Sequence, residues 1–375
     1  MGSGHTSSVP VFVRRLGIAV VIAGFLMAAL EGVLRIARFE YRRPNPIIVV
    51  PLWNTADQSK RERLYAMYRF HPYWFWEPRP GARVLDCEHE RINSAGSRGP
   101  GRPQAPERGA VRVAILGDSI SFGMGVCWDD TYAALLEREL SNVEVLNFGV
   151  TGFSAFQGEK LFEGRVLAYH PQIALVAFGA VDELLPATGH DVEAKFRVTS
   201  GASPTAVLWH DRLSALRMFQ FLDRAFGRRP QRAIEAKAHE NWASFSRGAR
   251  DYLRNQSVPS FERSLARIVE LGRSQGVRVV LIGPPRQTKV ETRWPWAIEY
   301  TAAIERVASR LGVPYWDVRA AFRAVPDSDA RLFLDDYHPN VAGHRLYARV
   351  LAERIRPHLG DVEARARDSG PRRQR

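Results

Sequence analysis

The chain has 375 residues, of which 45% are hydrophobic, 25% charged and 10% aromatic. These are globular proportions, and they exclude wholesale disorder, collagen-like repeats and low-complexity architecture. The net charge of +13 is nearly all arginine excess, since Lys60, Lys160, Lys195, Lys237 and Lys289 are the only lysines. Arginine scattered in this way leaves no concentrated basic footprint, and no nucleic-acid partner is expected. Two cysteines, Cys87 and Cys127, cannot build a disulfide framework or a Cys-rich zinc module.

In chain order, a short tail (residues 1–15) ends at Arg14 and Arg15. An apolar run from Leu16 to Leu34 follows, broken only by Glu31. At about 1.5 Å per residue, a helix of this length spans about 28 Å, near the thickness of a bilayer core. Residues 16–37 are therefore expected to form a single transmembrane anchor. A cleaved signal peptide is the rival, but no good small-x-small cleavage site follows the run. Arg35, Arg38, Arg42 and Arg43 come after it, so a positive-inside count places the body in the cytoplasm. Residues 38–108 are rich in Pro, Trp and Arg and read as a linker and lead-in. Within them HPYWFWEPRPG (His71 to Gly81) reads as an aromatic loop packed over the main domain.

From residue 109 the pattern alternates. VRVAIL (Val111 to Leu116), VEVLNF (Val143 to Phe148), IALVAF (Ile173 to Phe178), VRVVLI (Val277 to Ile282) and VPYWDV (Val313 to Val318) are apolar strand runs separated by amphipathic helical patterns. The last helix is expected over about Val341 to Ile355. This alternation predicts a three-layer α/β/α sandwich around a mostly parallel five-stranded sheet, over residues 109–359. A polar, mostly helical insertion occupies about 183–258. Residues 360–375 read as a basic disordered tail.

Two short blocks carry chemistry. GDSISFGMG (Gly117 to Gly125) follows the first of these strands directly, so Ser119 sits on a strand-to-helix turn at the carboxyl edge of the sheet. Asp-Ser is also ordinary turn and N-cap chemistry. LDDYHPN (Leu334 to Asn340) precedes the final helix and sets Asp335 three residues before His338. That spacing lets a carboxylate hold an imidazole whose other nitrogen faces a nucleophile. Asn340 is placed to cap the helix. An α/β-hydrolase elbow is excluded, because position 121 is Ser where G-x-S-x-G needs Gly. His190 beside Asp191 and His210 beside Asp211 have no third ligand at helical spacing, so they read as solvated loops. His344 reads as a helix-face residue.

With these blocks the sequence resembles the SGNH, or GDSL, hydrolase superfamily over about Asn93 to Leu359. The resemblance takes in INSAGSRGP (Ile92 to Pro100), the GDS block, VEVLNFGVTGFSAFQGE (Val143 to Glu159) and the DxxHPN block. It implies a flavodoxin-like sheet, Ser119 as nucleophile, His338 as general base and Asp335 as its orienting partner. It also implies the Ser119 and Gly152 N–H groups as oxyanion donors, with Gly149 a competing candidate for the second. One block departs: where the family reads G-x-N-D, FGAVDE (Phe178 to Glu183) puts Val181 in place of the Asn donor, with Asp182 after it as a structural residue.

The expected function is a serine esterase that hydrolyses an acetyl or acyl ester, with no metal or organic cofactor. Its expected partners are the membrane and an ester-bearing envelope glycan or lipid. The resemblance places the catalytic domain outside the cytoplasm, against the arginine count, and there Cys87 and Cys127 are able to pair. An O-acyltransferase acting on an envelope polysaccharide, and a non-catalytic binding protein on the same scaffold, are the alternatives.

Overall fold

A computed structural model gives the fold and describes residues 11–39, 63, 66–71, 74–107, 109–183, 213, 215–226 and 247–368. The first helix, α1 (Val11–Ile36), begins five residues before the apolar run. Within its stretch Phe12–Ile36 an 18-residue window has a mean hydropathy of 2.2 with none of that window buried, and the helix is long and apolar enough to cross a membrane. A helix that shows Phe12, Val21 and Phe25 to the surroundings cannot be a core helix of this domain.

The segment expected to be a linker forms two antiparallel hairpins. Strand β1 (Tyr68–His71) pairs with β2 (Phe75–Pro78), and β3 (Arg83–Val84) pairs with β4 (Cys87–Arg91). Met67, Tyr68, Trp74 and Trp76 are buried in one of the two apolar cores. The Trp76 Nε1–H donates to the Thr151 carbonyl at 3.1 Å. The aromatic segment is thus part of the domain's packing, and its edge closes over the loop around residue 151.

The central sheet has the order β6-β5-β7-β8-β9, every neighbouring pair parallel. Its strands are β5 (Val111–Gly117), β6 (Val143–Gly149), β7 (Ile173–Ala177), β8 (Arg278–Gly283) and β9 (Tyr315–Asp317). The strands β5, β6 and β7 are buried at every position, which is why they read as continuous apolar runs. The polar exceptions pair across the ladder. Arg112 lies opposite Glu144 and forms a buried ion pair with it, and its guanidinium also donates to the Tyr169 carbonyl at 2.8 Å.

The helices of the body are α2 (Ser119–Phe122), α3 (Tyr132–Glu139), α4 (Ala155–Gly164), α5 (Arg217–Phe226), α6 (Arg247–Ser274), α7 (Thr288–Arg293), α8 (Ala297–Leu311), α9 (Arg319–Arg323), α10 (Ser328–Leu332) and α11 (Val341–Asp368). One face of the sheet packs Leu116, Leu146 and Leu281 against Phe162 of α4, Ile268 of α6 and Ile304 of α8. The other packs Ile115, Val145 and Ile282 against Leu136 of α3 and Leu351 of α11. These three layers are the α/β/α sandwich. The final helix runs on through Gly360 to Asp368, past the point where a disordered tail was expected to begin. Most of the expected insertion, with His190, Asp191, His210 and Asp211, lies outside the described residues.

Candidate active site

In a parallel sheet of this order the chain leaves β5 and its neighbours in opposite directions, and the crevice opens at the carboxyl ends of the strands. The loops after β5, β6 and β7 meet there. Directly after β5, Asp118 caps α2: its Oδ1 accepts the Ile120 N–H at 2.9 Å. The next residue, Ser119, opens the helix with its side chain nearly covered, 8% exposed.

The other partner arrives on the loop between α10 and α11. An isolated antiparallel bridge joins Phe333 to Pro339, and the Leu334 N–H donates to the His338 carbonyl at 2.8 Å. Asn340 accepts the Gly343 N–H at 3.1 Å through Oδ1 and donates to the Arg331 carbonyl at 3.0 Å, so it caps α11 and closes the loop together. This tight loop presents the His338 ring toward β5. Its Nε2 lies 2.8 Å from the Ser119 Oγ, and its Nδ1 lies 2.7 Å from the Asp335 Oδ2.

Asp335 also accepts the N–H groups of Tyr337 and His338, each at 2.9 Å. Burial alone would raise its pKa. The hydrogen bonds from the imidazole and from the two N–H groups outweigh that and hold it down at about 2. An ionised Asp335 accepts from the Nδ1–H, which leaves Nε2 as the acceptor for the Ser119 hydroxyl.

The loop after β6 forms a turn alongside. The Val150 N–H donates to the Gly117 carbonyl at 3.0 Å, and the Phe153 N–H to the Val150 carbonyl at 3.1 Å. Gly152 sits between them at φ 79°, in the left-handed region that a side chain would strain. Among the described residues, neither the Ser119 N–H nor the Gly152 N–H has an acceptor. Gly149 is different. Its N–H is held by the Asn147 Oδ1 at 2.9 Å, and a Cβ there would lie 2.4 Å from the Phe122 nitrogen. Gly149 is therefore a close-packing glycine, and only Gly152 offers a free donor.

After β7 the chain enters a helical turn at residue 180, closed by the Glu183 N–H donating to the Gly179 carbonyl at 2.8 Å, and Val181 in it is buried, belongs to neither apolar core and has no side-chain donor. Beside it Asp182 accepts the Ala155 N–H with both oxygens, at 3.1 and 3.2 Å, and ties this segment to the turn around Gly152. Burial pushes its carboxyl up to about 8, with Asp118 and Glu183 adding to the rise. Burial likewise lifts Asp118 to about 6, and lifts Glu183 to about 7 against the pull of the Arg286 guanidinium.

Several supports were not read from the sequence. Arg98 is 1% exposed and donates to the carbonyls of Phe122 at 2.9 Å and of Gly123 and Val126 at 2.6 Å. It also pairs with Glu90 at 2.9 Å. Its block was recognised, but nothing local separates this arginine from the many exposed ones. The Asn147 Nδ2 donates to the Ser121 carbonyl at 2.8 Å, which binds β6 to the serine turn. His344 faces inward and is fully buried: its Nδ1 accepts the Tyr132 N–H at 3.1 Å, and burial lowers its pKa to about 3. It is a neutral core group and not a helix-surface one.

Cys87 and Cys127 form a disulfide that ties β4 to the chain beyond the serine turn. Their sulfurs cluster with His89 and Glu90 within 4.8 Å. With the sulfurs bonded to each other, and Glu90 held by Arg98 and the Trp128 N–H, this donor set does not fit a metal.

The GDSL-like Lipase/Acylhydrolase family matches residues 199–346, a stretch that contains Asp335 and His338. No curated protein matches the chain. Among solved structures, a lipase/acylhydrolase from Enterococcus faecalis is 18% identical, with a TM-score of 0.42, covering 66% of this chain and 96% of that chain. An acetylxylan esterase from Geobacillus stearothermophilus is 17% identical, with a TM-score of 0.41, covering 65% and 94%. A G-D-S-L family lipolytic protein from Veillonella parvula is 15% identical, with a TM-score of 0.41, covering 65% and 97%. The matched stretch takes in β8, β9 and the Asp-x-x-His loop before the last helix, while β5 and Ser119 precede it. The matched stretch is 148 of the 375 residues, so the likeness to the GDSL-like lipase/acylhydrolase family is carried by that part of the chain.

Proposed function

We propose that the protein is a serine esterase, anchored by α1 with its catalytic domain outside the cytoplasm, that cleaves an acetyl or acyl ester of an envelope glycan or lipid. The observation that carries the chemistry is the unbroken run of contacts from the Ser119 hydroxyl through the His338 ring to the Asp335 carboxylate. In this mechanism the Ser119 Oγ attacks the ester carbonyl carbon while its proton passes to the His338 Nε2. The negative charge that develops on the carbonyl oxygen is met by the N–H groups of Ser119 and Gly152. His338 then gives its proton to the departing alkoxide, and the C–O bond breaks. Water attacks the acyl-serine with His338 again as base, releasing the acid and restoring the serine. Asp335 stays ionised throughout and holds the ring.

The location rests on two features together. An apolar N-terminal helix suits a signal anchor or a signal peptide, and a structural disulfide belongs to an oxidising compartment. These outweigh the arginines that follow α1.

Labelling with a fluorophosphonate probe tests the chemistry. The wild-type chain is expected to label and to hydrolyse an aryl acetate, and Ser119→Ala to do neither. A folded wild type that neither labels nor turns over would end the esterase proposal and favour the non-catalytic reading that Val181 suggests. Product that forms only when a sugar hydroxyl is supplied would instead assign acyl transfer.

A further inference from the structure

The helix α5 (Arg217–Phe226) is built with its polarity reversed. At 100° per residue, Met218, Phe219, Phe221, Leu222, Ala225 and Phe226 share one side, and Arg217, Gln220, Asp223 and Arg224 share the other. In a helix packed on a soluble domain the apolar side would be covered. Here the polar-side Gln220 is 2% exposed, while Phe221, Leu222 and Phe226 are 41%, 42% and 80% exposed. Leu213 and Leu216, just before the helix, extend the exposed apolar surface.

The placement of α5 explains what covers it. It is held at the carboxyl end of α1: the Glu31 Oε2 accepts the Met218 N–H at 2.8 Å, and Glu31 also pairs with Arg35 at 2.7 Å. The Phe39 ring meets Phe221 edge-on at 5.9 Å, and the Arg224 guanidinium lies 5.9 Å above the same ring. The exposed apolar face of α5 therefore adjoins the exposed apolar surface of α1. Arg35, Arg38 and Arg224 are exposed at the same level, where anionic headgroups would lie against them.

We infer that α5 is an interfacial helix: it lies in the headgroup region of the bilayer with Leu222 and Phe226 in the acyl boundary, and it fixes the domain to the membrane at a second point beside α1. The inference rests on α1 as a membrane span. A domain pinned at two points has a defined tilt, whereas a single helix followed by a tether leaves the domain free to rotate. The chemistry selected for is a lipid surface carrying negative charge, and not a second copy of this chain.

The full-length chain, reconstituted in equimolar phosphatidylcholine and phosphatidylglycerol vesicles, tests this. An environment-sensitive fluorophore is placed on Leu222→Cys, Phe226→Cys, Asp223→Cys and Ile22→Cys in separate preparations under non-reducing conditions. The labels at 222 and 226 are expected to shift to the blue and to lose emission to a nitroxide lipid labelled near the headgroup, and the label at 223 is expected to keep its emission. The label at 22 is expected to lose emission to a deeply labelled nitroxide lipid. Loss at 22 without loss at 222 and 226 overturns the interfacial helix and leaves the anchor standing. No loss at 22 overturns the anchor and the inference with it. Emission changes at 222 that follow the protein-to-lipid ratio, and not the nitroxide, would assign the face to a second copy and overturn the lipid assignment.

Discussion

The substitution Val181→Asn adds to the site the one group that its loops do not supply. In the proposed mechanism the oxyanion is met by two backbone donors, the N–H groups of Ser119 and Gly152. Val181 is buried in the helical turn that follows β7, outside both apolar cores. Its neighbour Asp182 ties that segment to the turn that carries Gly152. An amide introduced there enters a segment already held against the oxyanion turn. A side-chain donor aimed at a developing oxyanion is worth about 10²–10³ in kcat, or ~3–4 kcal/mol. The opposing cost is that of a buried amide with no partner before substrate binds, about 1–3 kcal/mol. That cost falls on the folded protein before the oxyanion forms and is relieved in the transition state, so it lowers stability and does not oppose turnover. The expected result is a kcat raised toward that limit, with a smaller change in KM, because the donor acts on charge present only in the transition state. Tm is expected to fall. Steady-state hydrolysis of an aryl acetate, beside a thermal melt, measures both. A folded Val181→Asn protein with unchanged or lower kcat would refute the reasoning, since another group would then already fill the hole.

Arg98→Met removes the donor to the carbonyls of Phe122, Gly123 and Val126 and leaves Glu90 with the Trp128 N–H but no cation. Breaking a buried pair of this kind costs about 3–5 kcal/mol, and a lower Tm together with a lower kcat is expected, with Arg98→Lys recovering part of each. Asp335→Asn is expected to lower kcat by about 10⁴ through the wrong imidazole tautomer, with little change in KM; a loss of less than tenfold would mean that His338 is oriented by other groups. Asp182 is held at about 8, above its ordinary value, so the folded state binds more protons than the unfolded one between about pH 4 and 8. Its contribution to stability is complete below that window and is lost as the pH rises through it. Asp182→Asn keeps an oxygen for the Ala155 N–H and is expected to flatten the fall of Tm with pH. Asp118 and Glu183 leave a residual slope of the same sign.

The sheet was legible because a strand buried on both faces needs no alternation, only a short apolar run. The runs beginning at Val111, Val143 and Ile173 match β5, β6 and β7 to within a residue. The meeting of the Ser119 and Asp335–His338 blocks was legible for another reason: each needs its residues in a fixed local order, at a strand end or ahead of a helix, so spacing carries the information. The hairpins β1–β4 were not legible. Their strands are two to five residues long and mix arginine and glutamate with apolar residues, so no apolar run or alternation marks them. Arg98 and His344 were missed because a buried polar residue is defined by partners distant in sequence. The Tyr132 N–H that holds His344 is 212 residues away. The exposed apolar face of α5 was hidden in the same way, since an amphipathic pattern does not say which side turns inward.

Two carboxyl groups influence the His338 imidazole, and the fold separates them by environment. Asp335 lies on the rim, accepts three N–H groups, and is held at about 2. Asp118 lies beneath the serine, fully buried, with its Oδ2 unbonded, and burial raises it to about 6. Both are attracted to a positive imidazole, but only Asp335 touches the ring. In the proposed mechanism, the proton that His338 takes from Ser119 is thus stabilised from the outer side, along the Nδ1 axis, which leaves Nε2 directed at the serine and the substrate's leaving group. Were Asp118 to carry the firmer charge, the field would pull toward the buried side of the serine, next to the oxyanion donors, where added negative charge opposes catalysis. Asp335, held low, keeps its full charge on the Nδ1 side of the ring across the pH range in which Asp118 titrates, so the charge that touches the imidazole lies behind the histidine and away from the N–H groups that would receive the substrate's oxygen.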